Sequence, residues 1–490
     1  MEPTDVLSTA PVISMPAGPA AGISTTPVIG KITITRLDIF DPNIPGENLK
    51  LFRIANKIHI VTRDAVVRRE ILLQPGDPWD PRKSLESERN LRAIGFFRRV
   101  EIKPVPAGNK LDLEILTQDS WTTMAQFSVG TEGGDHFFIY GITERNLLGR
   151  NKTISFIHSQ NGPLIRNIFF YHDPRLWATR YKLSTFYSTT FSGASMGIDV
   201  TRPFFSLETP YALGGGWARL VNETILFKEA LEHSKFISNS RLVQGGAGKR
   251  LEADGLFVQR VQAGWHWQRD LFTRTIDTVG LLPVSRELSG PTLGYSWVQP
   301  RYIKESYINR MERVEDFNMG NELRVLAGYM GRALGSDRDR LLFNVVNQQG
   351  LRFAPGRFIL AQVGATGRAL NGRYENAMFF SNLNLFWKTE WPLPQTWVGH
   401  VEYNRGLNLD KENQVLLGGN NGLRGYKNFS YAGDKSLLIN FENRWFLPGE
   451  YFHLMRFGGA VFFDSGCVAS QGAGTTWNGF KSDVGIGLRF

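Results

Sequence analysis

The chain has 490 residues, of which 42% are hydrophobic and 12% aromatic, and it carries a formal net charge of +10. It contains no run of about 18 apolar residues, which excludes a protein that spans a membrane with α-helices. A transmembrane β-barrel remains compatible, because alternating strands keep the mean hydropathy near neutral. The positive charge is spread along the chain, which favours a solvated basic surface over a site for an anionic partner such as lipid head groups.

The single cysteine, Cys467, excludes an intrachain disulfide. Glu2 and Asp5 stand where a secretory signal would carry basic residues, and no apolar signal core follows them. We therefore expect either a mature or trimmed form or a protein that reaches its membrane differently, and for a barrel the trimmed form is favoured.

Residues 1–30 are rich in Pro, Ala, Ser and Thr, which predicts a flexible lead-in. The composition changes over residues 31–118, which predict a compact α+β domain with the element order β-α-α-β-β. Apolar and polar residues alternate over 31–40, and this alternation indicates the first strand.

The helices of this domain are predicted from their end signals. Thr62 is a favourable N-cap for the first helix, and Asp80 with Pro81 behind it marks the start of the second. Gly95 ends that helix. Two strands complete the domain, at residues 97–105 and 110–116.

Residues 119–490 form segments of strand length that alternate in hydrophobicity and are separated by Gly, Asn, Asp or Pro. Strands of about 10 residues with one apolar and one charged face suit a wall between lipid and a wet lumen. The pattern predicts an all-β transmembrane barrel of about 16 antiparallel strands, or 14 if the C-terminus is short. The clearest segments are 121–131, 136–146, 164–171, 181–189, 322–330, 358–367, 377–391, 397–404, 436–445, 455–464 and 483–490.

In the first domain, Gly76, Asp77 and Trp79 precede the second predicted helix, and Gly95, Phe96 and Phe97 follow it. This arrangement resembles a POTRA domain, which usually shows a helix, a Gly-Asp turn followed by an aromatic residue, a second helix and then a Gly-Phe-Phe motif.

The barrel region contains three further motifs: an early turn at 144–150 (ERNLLGR), a loop at 417–426 (LGGNNGLRGY) and a strand at 462–466 (FFDSG). In order and spacing they resemble motifs of the BamA/TamA family, also called the bacterial surface antigen family.

This resemblance implies a non-enzymatic protein of the bacterial outer membrane, with its N-terminal domain in the periplasm. Its function would be outer-membrane protein assembly or polypeptide translocation, without a cofactor or nucleic acid. The POTRA domain would receive a client by strand addition, and the seam between the strand at 121–131 and the last strand would insert or release it. The implied partners are outer-membrane lipid, unfolded barrel or secreted polypeptides, and periplasmic accessory proteins.

The alternative is a passive channel or structural porin that uses the same scaffold. A POTRA domain has little use in a simple porin, which favours assembly or translocation. A lipase acting through Ser195 is a more distant third hypothesis.

The loop motif predicts an anchor inside the lumen. Arg424 lies between Gly422 and Gly425, and a thin glycine backbone can enter a narrow space. A guanidinium in a lumen requires a carboxylate in bidentate geometry. Asp464 and Glu442 lie on the lumen-facing parity of their strands. The predicted anchor comprises Gly422, Leu423, Arg424, Gly425, Tyr426, Glu442, Phe462, Asp464 and Gly466.

The C-terminus departs from the family pattern. The family usually has three strands after the FxDxG strand, whereas the residues after Gly466 have room for one, at 483–490. Either the barrel closes early or two terminal strands are missing, and the second interpretation is favoured. The last segment also matches a terminal-strand assembly signal at Asp483, Gly485, Leu488 and Phe490.

Three other motifs are interpreted as structural. The GxSxG motif at 193–197 needs a helix after it to form a nucleophile elbow, but strand-like segments flank it, which favours a barrel turn. Residues 245–249 lack the first Gly and the hydroxyl residue of a phosphate loop. The eight histidines are scattered, so no metal site is predicted. No residue is assigned a catalytic role.

Overall fold

The computed structural model describes residues 26–44, 46–132, 135–161, 164–228, 231–253, 256–311, 313–447, 449, 451, 456–469 and 479–489. Most of the predicted lead-in and Phe490 of the terminal-strand signal lie outside these residues. Within this part of the chain, no helix combines the length and hydropathy needed to cross a membrane.

The N-terminal domain is a three-stranded sheet of order β1-β3-β2 with three helices. Strand β1 is parallel to β3, and β2 is antiparallel to it. The core contains Val67, Leu91 and Leu113, none of which is exposed to solvent. The elements are β1 (Val28–Leu37), α1 (Lys50–Ile58), α2 (Asp64–Glu70), α3 (Pro81–Ala93), β2 (Phe97–Ala107) and β3 (Lys110–Asp119).

The predicted start of α3 is confirmed, because the Asp80 side chain accepts a hydrogen bond from the Arg82 amide. The predicted order is wrong by one helix. Helix α1 was missed because no side chain caps its N-terminus. Thr62 is not an N-cap either: its amide and hydroxyl both donate to Asp119, 2.8 Å away in each case, and α2 begins at Asp64 instead.

The remaining chain forms an antiparallel barrel of eighteen strands within the described residues, more than the 16 or 14 expected. The difference arises because glycines at 214–216 and 245–246 lie inside long strands and interrupt their apolar alternation. The wall strands are β4 (Thr123–Glu132), β5 (Asp135–Glu144), β6 (Thr153–Asn161), β7 (Leu164–Asp173), β8 (Lys182–Thr190), β9 (Gly193–Arg202), β10 (Tyr211–Lys228), β11 (Leu231–Ala253), β12 (Val258–Arg274), β13 (Arg286–Val298), β16 (Asn321–Met330), β17 (Arg340–Ala354), β18 (Arg357–Leu370), β19 (Arg373–Thr389), β20 (Gln395–Leu407), β23 (Lys435–Phe446), β24 (Gly458–Ala469) and β25 (Lys481–Arg489).

Two connections carry small hairpins of their own. Strands β14 (Tyr302–Glu305) and β15 (Glu315–Asn318) lie between β13 and β16, and β21 (Val415–Leu417) and β22 (Tyr431–Gly433) lie between β20 and β23. Because β4 leaves the N-terminal domain and each wall strand reverses direction, the first connection lies at the end of the barrel near that domain. The second lies at the far end.

The strand order brings β25 next to β4, but, unlike the other neighbouring wall strands, these two have no residue-by-residue pairing register within the described residues. On β25 the outward side chains of Val484, Ile486 and Leu488 are 76, 84 and 89% exposed, whereas Ile439, two strands away, is 36% exposed. The higher exposure indicates that β4 covers β25 less than paired wall strands cover each other. We call the junction between β25 and β4 the seam.

Candidate functional site

The far-end connection between β20 and β23 enters the lumen, and its glycines make this entry sterically feasible. Gly422 has φ +105°, and a Cβ there would lie 2.2 Å from Leu438 Cδ2. A Cβ on Gly425 would lie 2.7 Å from the Asp483 Cβ of the last strand. A residue with a side chain at position 422 or 425 would therefore hold the loop tip away from the wall.

Arg424 at the loop tip contacts Asp464 in the predicted geometry. Its Nε donates to Oδ2 and its Nη2 to Oδ1, both at 2.8 Å. The Asp464 side chain has no solvent exposure and also accepts a hydrogen bond from Asn440 Nδ2 at 2.7 Å. The same Asn440 amide donates to the carbonyl of Gly422, so the wall holds both the side chain and the backbone of the tip.

The guanidinium of Arg424 also reaches the neighbouring strand. Its Nη1 donates to Glu442 Oε2 at 2.6 Å, and its Cζ lies 3.5 Å from the centre of the Phe462 ring. That ring occupies space left by Gly485, where a Cβ would lie 2.2 Å from Phe462 Cζ. The arginine therefore combines an ion pair with stacking, a combination that lysine cannot reproduce.

The remaining predicted loop residues lie around this pair. Leu423 is fully buried against Leu417, Leu438 and Val468. Tyr426 donates its hydroxyl hydrogen to the carbonyl of Ser482 in β25 at 3.2 Å. A Cβ on Gly466 would lie 3.4 Å from Leu423 Cδ2. The loop thus contacts β23, β24 and β25. Asp483, Gly485 and Leu488 lie in β25, and their role as an assembly signal stays a prediction.

The root of the same loop has a second set of ion pairs that the sequence did not reveal. Arg286 Nε lies 2.8 Å from Asp270 Oδ2, its Nη1 lies 3.0 Å from Asp410 Oδ2, and its Nη2 bonds to Glu412. Arg368 also donates to both oxygens of Asp410. The only local sequence signal was the spacing of the acidic residues at 410 and 412, and nothing in the sequence identified their partners.

The near-end connection, residues 299–320, forms a second insertion that we call the strap. Its side toward the N-terminal domain contacts helix α3. Arg92 Nε and Nη2 donate to the two oxygens of Asp316 at 2.8 and 2.7 Å. Lys304 Nζ donates to Glu88 Oε1 at 2.8 Å, and Arg313 Nη1 donates to the carbonyl of Gly95 at 3.0 Å.

The other side of the strap packs inside the barrel mouth. Ile308 is fully buried against Phe358, Phe386 and Val398, which project inward from β18, β19 and β20. The carbonyl of Ile308 accepts from Arg444 Nη1 at 2.9 Å, and the carbonyl of Asn309 accepts from Arg489 Nη2 at 3.2 Å.

These two arginines connect the strap to the loop anchor. Arg444 Nε donates to Glu442 Oε1 at 2.7 Å, and Arg489 Nη1 donates to the same oxygen at 3.2 Å. Glu442 therefore bonds to Arg424 of the loop and also to Arg444 of β23 and Arg489 of β25, the two arginines that contact the strap. The sequence predicted the contact with Arg424 but gave no indication of the strap.

The early turn at 144–150 also contacts the N-terminal domain. Asn146 Nδ2 donates to Thr62 Oγ1 at 2.9 Å, and the amide of Arg63 donates to the carbonyl of Gly149 at 2.9 Å. Burial raises the pKa of Asp119 above its ordinary value, although Thr62 donates two hydrogen bonds to its carboxyl group. On α2, Glu70 bonds to Arg175 at the next turn along the rim.

Ser195 lies in strand β9 and not in the expected turn. Its Oγ accepts from the amide of Val221 at 2.8 Å and donates to the carbonyl of Val221 at 3.1 Å, so it extends the ladder between β9 and β10. Residues 245–249 likewise lie within strand β11. Neither motif has the loop conformation that its chemistry requires.

We expect Ser195→Ala to leave the barrel folded and any ester hydrolysis unchanged. The change removes two hydrogen bonds at a buried strand end, which costs about 1–3 kcal/mol because the backbone groups of Val221 lose a partner. Urea unfolding and an ester-hydrolysis assay on the purified variant measure both effects. If esterase activity is present in the native chain and disappears in this folded variant, the lipase hypothesis becomes the better one.

Comparison with known proteins agrees with this architecture. Residues 55–117 match the POTRA family model, described as a surface antigen variable number repeat. The chain is 28% identical over 153 residues to the outer membrane protein assembly factor BamA of Neisseria meningitidis, which is 30% of this chain and 18% of that protein. It is 34% identical over 90 residues to BamA of Neorickettsia risticii, 18% of this chain and 12% of the relative. These matches support a relationship to the BamA/TamA family and place a POTRA domain at residues 55–117.

The matches to these curated relatives span less than a fifth of their length. Among solved structures, BamA from Haemophilus ducreyi lacking POTRA domains 1–3 aligns with a TM-score of 0.38 and 13% identity, over 94% of this chain and 85% of the other. CdiB from Acinetobacter baumannii aligns with a TM-score of 0.41 and 10% identity, over 95% and 74%.

Proposed function

We propose that this chain inserts β-barrel proteins into the outer membrane or passes polypeptides across it, and that it does so without covalent chemistry. The barrel lies in the outer membrane, and its POTRA domain lies in the periplasm. The observation that carries the proposal is the seam. Both of its strands have a neighbour on one side, β24 for β25 and β5 for β4.

The seam offers a client both hydrogen-bonding groups and apolar surface. Phe127 and Val129 on β4 are 70 and 67% exposed, and Ile486 faces outward on β25. A Cβ added to Gly487 would meet nothing within 4 Å. An edge strand in lipid leaves backbone N–H and C=O groups without water, so a client strand that pairs there is strongly favoured.

The POTRA sheet has one edge that suits an extended client. The free side of β1 is already contacted by the turn at 76–79, through hydrogen bonds such as that from the Ile29 amide to the Asp77 carbonyl. On β2, Pro104 and Pro106 have no amide hydrogen and their nitrogens face the free edge. Strand addition is therefore favoured beside Val100 and Ile102, which have the same parity and retain their amides.

The passive-channel alternative is disfavoured by the lumen contents. The strap packs inside the near mouth and the Arg424 loop enters from the far end. A simple porin needs an open aqueous path between these ends.

Photo-crosslinking to a client protein during its insertion or transport tests the proposed function. A photoreactive residue at Ile486 is expected to capture client protein, because this side chain borders the seam. The matched control is Ile439, which faces outward on a fully paired strand. Equal capture at both positions, or capture at neither, would favour the passive channel.

Topology gives a separate test. We expect Asn109→Cys, in the exposed turn between β2 and β3, to resist a membrane-impermeant maleimide added to intact cells. Arg373→Cys, at the start of β19 and exposed at the far end, should react. Labelling of position 109 from outside would contradict the periplasmic placement of the domain.

A further inference from the structure

Helix α1 of the POTRA domain has apolar residues on two faces, and only one of them packs against the protein. Phe52 is 2% exposed and stacks on Phe40 with ring centres 4.3 Å apart. On another face of the helix, Leu51, Ile54 and Ile58 are 61, 47 and 67% exposed. Their spacing of three and four residues places them in one stripe along the helix.

Single exposed apolar residues on a surface are ordinary, but this stripe has two further features. Leu49 before the helix and Ile60 after it are also more than half exposed, so the apolar surface continues beyond both ends. Exposed cations form a parallel stripe, and the helix contains no carboxylate. The cations are Lys50, Arg53 and Lys57.

The stripe ends at the rim of the barrel. A Cβ on Gly149 would lie 2.7 Å from the Val61 carbonyl oxygen and 3.3 Å from Ile60 Cγ2, so the segment after α1 touches the turn between β5 and β6. Leu148 in that turn is 53% exposed, and Trp177 in the next near-end turn is 84% exposed. Exposed Trp at a barrel rim is typical of the level where the wall meets lipid head groups.

We propose that α1 docks on the periplasmic leaflet of the outer membrane and binds anionic phospholipid. The apolar stripe enters the boundary of the acyl chains, and the three cations contact phosphate groups. Weak intrinsic affinity is sufficient, because the barrel already holds the helix at the bilayer surface and makes its binding intramolecular. The proposal rests on the outer-membrane placement but not on client insertion.

Fluorescence quenching in vesicles tests this docking on the full chain. Ile54→Cys, in a Cys467→Ser background, carries an environment-sensitive dye, and brominated acyl chains act as the quencher. In vesicles of phosphatidylcholine and phosphatidylglycerol, we expect quenching several-fold stronger than for a dye at Asn109→Cys, at the distant end of the β2–β3 hairpin. The quenching at position 54 should fall when phosphatidylglycerol is omitted. It should also fall in the triple variant Lys50→Gln, Arg53→Gln and Lys57→Gln.

Equal quenching at positions 54 and 109 overturns the proposal. So does shielding of the dye at position 54 in detergent without phospholipid, which would assign the stripe to a second copy of the chain. A dye at outward-facing Ile439→Cys must be quenched in every vesicle sample that contains brominated lipid. Failure there would refute the membrane placement itself and so the proposed function, whereas failure at position 54 alone would leave that function standing.

Discussion

Asp464→Ala is expected to reproduce the defect of Arg424→Ala: a loosened lumen loop, noisier single-channel currents and weaker client insertion. Removal of Arg424 leaves a fully buried carboxylate to which Asn440 still donates a hydrogen bond. Loss of one partner of a buried pair costs about 3–5 kcal/mol, but the Arg424 side chain is 36% exposed, so about 2–3 kcal/mol is the better expectation.

A double-mutant cycle in urea unfolding of the detergent-solubilised barrel measures this coupling. The double variant should be little less stable than either single variant. Arg424→Lys should be intermediate, since it keeps the charge but loses the two-pronged contact and the stacking on Phe462. Reversal of both charges should restore function only in part, because the exchanged side chains cannot reproduce the fork. Strictly additive effects would show that the two residues do not interact.

The sequence predicted this pair because both residues obey local rules. Asp464 and Glu442 lie on the polar side of strands whose alternation is strong, and the glycines beside Arg424 indicate a backbone that can enter a narrow space. The barrel class was predictable for the same reason, since one period of alternation repeats over the whole region. The family resemblance then supplied the order of the loop and strand motifs.

The missed features depend on contacts between distant residues. Arg92 and Asp316 are 224 positions apart, and neither has a neighbour that marks it as half of a pair. The strap contains strands of only four residues, too short to show alternation. Helix α1 was missed because its apolar residues form two faces and its first turn carries no capping side chain. The glycines inside β10 and β11 interrupt the apolar alternation of these strands, so their place in the wall became evident only from the pairing of the two strands.

Loss of the strap contact with α3 is expected to release the POTRA domain from the barrel mouth. The side chains of Arg92 and Asp316 are 10 and 13% exposed, so Arg92→Ala leaves a mostly buried carboxylate without its two-pronged partner. The cost is about 3 kcal/mol. Asp316→Ala should be milder, because Arg92 keeps its contact with Glu88.

Distances between spin labels at positions 109 and 373 report this release, one label lying on the POTRA domain and the other at the far end of the barrel. We expect one narrow distribution in the native chain and a broad one in Arg92→Ala. The exchange of both residues, Arg92→Asp with Asp316→Arg, should narrow the distance distribution again.

Glu70→Ala, which removes the contact with Arg175 on another part of the rim, is the matched control for loss of a domain–barrel ion pair without a change in the strap. An equally narrow distribution in Arg92→Ala would show that the strap does not hold the domain. In a further outcome, Arg92→Ala broadens the distance distribution and speeds amide exchange in β25, and Glu70→Ala does neither. That outcome would show that the strap contacts at Arg444 and Arg489 couple the domain to the seam strand.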